Sequence, residues 1–74
     1  MNPAVETLIE AMRAKSQIRE WSRGQMIKEL MEKGKGNREA DRIIAQAESL
    51  GLLDSRQVDK AGRKRYFLAE RSGR

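Results

Sequence analysis

Val5, Leu8, Ile9 and Met12 recur at the i, i+3, i+4, i+7 spacing of a single helix face, which predicts a first helix over residues 3–15. Pro3 suits its first turn, where no backbone N–H is required. Met26, Ile27, Leu30 and Met31 repeat the pattern and predict a second helix over 23–33. Its start reads as Ser22-Arg23-Gly24-Gln25, a hydroxyl followed three residues later by glutamine, which is a capping box. Ala40, Ile43, Ile44, Ala47 and Leu50 predict a third helix over 38–50. Asn37 is expected to cap it, because its side-chain oxygen can accept an orphan backbone N–H. Gly51 is expected to stop it, because a left-handed residue there needs no Cβ. Gly34-Lys35-Gly36 breaks the chain between the second and third helices.

The period changes after Gly51. A strand is expected over 52–58, a tip at Asp59-Lys60-Ala61-Gly62 with Gly62 at positive φ, and a second strand over 63–69. Alternation separates Tyr66 and Leu68 from Arg65 and Phe67, and the first pair is assigned to the core. Ser16 to Trp21 is a connector with Ile18 and Trp21 as its apolar members. Trp21 is read as core packing rather than as a platform for stacked bases.

Seventy-four residues bound the chain to one small domain, taken as 1–70, with a flexible basic tail at 71–74. No Cys and no His are present, so disulfides, thiolate and imidazole mechanisms and most zinc sites are excluded. The acids are strewn along helix surfaces and Ser22 has no candidate base, so no catalytic residue, metal or enzyme activity is expected. Gly34-Lys35-Gly36 lacks the spacing of a nucleotide-binding loop, and no cofactor or small-molecule substrate is expected. No apolar run reaches the roughly 20 residues of a spanning helix, and no signal peptide is visible. A cytoplasmic location follows as an expectation, nucleoid-associated in a prokaryote.

Charge narrows the partner. Residues 1–55 hold nine basic and nine acidic side chains; residues 56–74 hold seven basic and two acidic, the whole of the +5 net charge. A localised basic patch makes a directional field suited to a polyanion.

A helix, then Glu48-Ser-Leu-Gly-Leu-Leu53, then a glycine-containing hairpin ending Gly62-Arg-Lys-Arg-Tyr-Phe-Leu-Ala69 resembles the second half of a winged helix-turn-helix domain. The resemblance extends over residues 5–69. It implies an α+β, mainly α fold, a winged helix in the order α-β-α-α-β-β, with a short strand in the connector that pairs with the wing. The turn Gly34-Lys35-Gly36-Asn37 departs from the family, which places Ile or Val there.

The resemblance implies that the third helix enters the major groove of double-stranded DNA and that the wing follows the phosphates. Arg38 and Arg42, one turn apart, would pair with guanine or hold a phosphate, and Gln46 would pair with adenine. Glu39 would accept from a cytosine amino group, orient an arginine or simply favour the helix N-terminus, the last being the reading for Asp41. Lys35 and Asn37 are further phosphate candidates. Arg56, Lys60, Arg63, Lys64 and Arg65 would serve the backbone or a minor groove. About five neutralised phosphates would give a salt slope of roughly −4 to −5. The implied role is a transcription regulator or an accessory domain of a plasmid or phage replication protein, with a homodimer or a tether supplying specificity. The alternatives are a winged helix that contacts protein partners in a replication or transcription complex, and an RNA-binding use of the same fold.

Overall fold

The computed structural model describes residues 2–69. The chain runs α1 (Pro3–Ala14), β1 (Trp21–Ser22), α2 (Arg23–Glu32), α3 (Asn37–Ser49), β2 (Leu53–Gln57) and β3 (Lys64–Leu68). Three helices pack on one antiparallel sheet of order β1-β3-β2. This is an α+β fold whose elements follow the expected order. The expected tail at 71–74 lies outside the described residues.

Each helix has a local reason to begin where it does. The Asn2 side chain accepts from the Ala4 N–H at 2.8 Å, and Pro3 follows as the first helical residue. At α2 both halves of the capping box form: the Gln25 N–H donates to Ser22 Oγ at 3.1 Å and the Ser22 N–H to Gln25 Oε1 at 2.8 Å.

The third helix corrects an expectation. Asn37 is its first residue and not its cap; Gly36 takes the cap position in extended geometry, with no side-chain cap bond. The reason lies at the end of α2. Gly34 is left-handed at φ 91, and the Gly34 and Lys35 N–H groups return to the Met31 and Leu30 carbonyls, each at 3.0 Å. The chain is thereby turned early, α3 starts a residue sooner than expected, and the Asn37 side chain stays exposed. Gly51, at φ 78, closes α3 in the same way, with Leu52 N–H on the Ala47 carbonyl at 2.9 Å.

Val5, Leu8, Met12, Trp21, Met26, Leu30, Ile43, Ile44, Leu53 and Tyr66 form one buried cluster. Trp21 therefore packs in the core, opposite Tyr66 in the sheet. Of the positions read as core from the pattern, Ile27 and Leu68 are partly buried against this cluster, whereas Met31 is 49% exposed and Leu50 is 52% exposed. Their places at the two helix ends turn them off the packed stripe. Conversely, Glu29 is only 7% exposed, because it accepts from Lys15 Nζ at 2.7 Å and so joins the end of α1 to α2.

Candidate nucleic-acid interface

At about 100° per residue, the buried stripe Ala40-Ile43-Ile44-Ala47 leaves three exposed strips on α3. The strip facing straight outward holds Arg38, Arg42, Ala45 and Ser49. One flank holds Asp41 and Glu48, and the other holds Glu39 and Gln46. The charges expected to compete for a polyanion are thus sorted by the geometry of the helix.

The two acids of the first flank point toward the sheet side and are engaged there. Asp41 Oδ1 accepts from Arg23 Nη2 at 2.7 Å, and Glu48 Oε2 accepts from Ser55 Oγ at 2.9 Å. Arg23, at the first position of α2, also donates through Nη1 to the Tyr66 hydroxyl at 3.2 Å. One guanidinium therefore ties together α2, the first half of α3 and β3. Burial opposes its charge, but the Tyr66 hydroxyl and the Asp41 carboxylate more than offset that and hold it above the usual arginine range. No spacing in the chain signalled this residue, since its partners are 18 and 43 positions away.

The other flank faces the start of α1. Gln46 Oε1 accepts from Asn2 Nδ2 at 2.9 Å, so the side chain expected to read adenine is held by a neighbour 44 positions away. Glu39 is exposed, and among the described residues it has no ion pair. Lys35 is half-buried in the turn before α3, and Asn37 stands beside it.

The sheet register places the wing residues. Arg56 lies opposite Arg65, Gln57 opposite Lys64 and Ser55 opposite Tyr66. Lys64 thus shares the helix-side face with Tyr66, whereas Arg56 and Arg65 share the outer face. Arg56 is paired with Glu20. Arg63 Nε donates to Asp59 Oδ2 at 2.9 Å, and its N–H donates to Asp59 Oδ1 at 3.2 Å, closing the tip with Gly62 at φ 88. Lys60, Lys64 and Arg65 have no ion pair among the described residues. Between the start of α2 and the wing lies a groove of about 730 Å³, lined by Arg23, Gly24, Arg63, Lys64 and Arg65 with Asp59 as its one acid.

The structure thus joins Arg38 with Arg42 on one strip, and Arg23 with Lys64 beside one groove. Arg65 lines that groove from the outer face of the sheet, Arg56 lies on the outer face away from it, and Gln46 is engaged elsewhere. Among the described residues no cluster of acids has the makings of a metal site, and no helix is long and apolar enough to cross a membrane. No protein-family model, no curated protein and no solved structure matches the chain.

Proposed function

We propose that this chain is a winged helix-turn-helix domain that binds double-stranded DNA, with α3 in the major groove and the β2–β3 wing on the phosphate backbone. The observation that carries the reading is the sorting of charge on α3. Arg38 and Arg42 hold the outward strip, while Asp41 is neutralised by Arg23 and Glu48 accepts from Ser55. The helix holds two arginines against three acids, a formal charge of −1, but its leading surface is cationic. Two guanidinium groups one turn apart suit guanine edges or phosphates.

The groove beside α2 supports the second contact. Lys64 and Arg23 converge there, so a phosphate chain lying between α2 and the wing meets cations from both sides. Lys60 at the tip extends the same track. Domains of this kind serve transcription regulators and replication proteins, and the chemistry above suits either.

Fluorescence anisotropy with a labelled duplex of random sequence, repeated across a salt series, tests the reading. Log affinity should fall with log salt at a slope of roughly −4 to −5, as for about five phosphate contacts. Absence of binding at low salt, or binding indifferent to salt, would reject it.

A further inference from the structure

A second groove, of about 590 Å³, runs between the end of α1, the connector before β1 and the margin of the sheet. Its apolar surface comes from Ile18, Phe67 and Leu68, all half-buried, and its rim from Arg13, Arg19 and Arg56. We propose that this groove seats an extended segment of a partner protein in which acidic and apolar side chains alternate.

Charge gives the first argument. Three guanidinium groups surround the groove against one carboxylate, Glu20, which is already paired with Arg56. Arg13 and Arg19 are exposed and have no ion pair among the described residues. Acids on an incoming segment would meet cations with no competing partner.

The backbone gives the second. The Ala69 N–H donates to the Leu52 carbonyl at 3.0 Å, so the backbone groups of residues 67 and 69 face β2. The N–H and carbonyl of Leu68 therefore face the opposite side, where β1 would lie. But β1 pairs with β3 only through Trp21–Tyr66 and Ser22–Arg65. Among the described residues no strand pairs with that side of Leu68, and the groove begins there. An extended chain can continue the line of β1, hydrogen-bond to Leu68 and set alternate side chains on Phe67 and Ile18.

Those same features set a peptide ahead of nucleic acid. An apolar floor gives phosphates no donors, and the open edge suits amide groups. Arg56 is the one lining residue shared with the surface assigned to the duplex; the others lie outside α3 and the β2–β3 tip, so either assignment can fail alone.

A random peptide library displayed on phage, panned against the full chain, is the probe. Enriched sequences should alternate Asp or Glu with large apolar residues, and a synthetic copy should shift the amides of Arg13, Arg19, Phe67 and Leu68. Arg13→Glu with Arg19→Glu should weaken that peptide by roughly tenfold or more while leaving duplex affinity within about twofold and the circular dichroism spectrum unchanged. Arg19→Gln should move affinity in the same direction by less, so the result does not rest on a charge reversal alone. No enrichment, enriched peptides without acids, binding that survives the double variant, or a duplex that shifts those same amides would each overturn the proposal.

Discussion

Asp41→Asn separates two accounts of the recognition surface. If Asp41 accepted from a base, its loss would weaken binding. In the structure it instead holds Arg23 at 2.7 Å, with side-chain exposures of 52% and 48%. A pair this wet contributes roughly 0.2–1 kcal/mol to stability, so Asp41→Asn should lower the unfolding free energy by that much, read as a lower urea midpoint with the slope unchanged. Its effect on DNA should have the opposite sign. A carboxylate is removed from the flank of α3, and Arg23 is released beside the groove next to the wing while still within reach of the Tyr66 hydroxyl. One added phosphate contact would steepen the salt slope by about 0.9 and raise affinity several-fold at low salt. Anisotropy across a salt series, with urea unfolding of the same sample, reads both quantities. Weaker binding with an unchanged slope would overturn this and make Asp41 a base reader.

Further outcomes follow from the same geometry. Arg63→Ala with Arg65→Ala should flatten the salt slope by about 1.8 if both touch phosphates, while a thermal melt stays near the parent; an unchanged slope removes them from the contact. Gly51→Ala should cost about 1–2 kcal/mol in denaturant unfolding, because φ 78 is left-handed and the turn after α3 depends on it; a neutral result would mean that the helix ends otherwise. The hydrogen bond to Glu29 raises the Lys15 ammonium above its ordinary value of 10.5, and burial only partly opposes it. A raised lysine contributes stability that is full below 10.5 and is lost as pH climbs through the folded-state value. The stability gap between the parent and Lys15→Met should therefore hold at neutral pH and close in strong alkali; a gap independent of pH would remove the ion pair from the account.

What could be read from the chain alone was local. The 3–4 spacing located all three helices, because a stripe of Val, Leu, Ile and Met must face a core whatever its partner is. The Ser22–Gln25 box and the Gly62 tip were legible because each motif closes within four residues. The failures share one cause, distance along the chain. Asn37 looks like a cap until Gly34 turns the chain early. Glu29 looks like a surface acid until Lys15 arrives from another helix. Asp41, Arg56 and Gln46 look like free surface groups until Arg23, Glu20 and Asn2 are folded against them. Composition located the cationic end of the chain and alternation already sets Lys64 on the opposite face from Arg65, but the strand register is needed to show that Lys64 shares the face of Tyr66 against Ser55 and Gln57. Pairing likewise shows that β1 stops short of Leu68, which no residue pattern announces.

An amide chemical-shift titration with a random duplex reports on α3 and the β2–β3 hairpin at once. The largest shifts should fall from Lys35 to Arg42, with Arg38 and Arg42 foremost, and from Arg56 to Arg65 along the wing. Shifts confined to α1, with α3 and the wing silent, would contradict duplex binding by those elements.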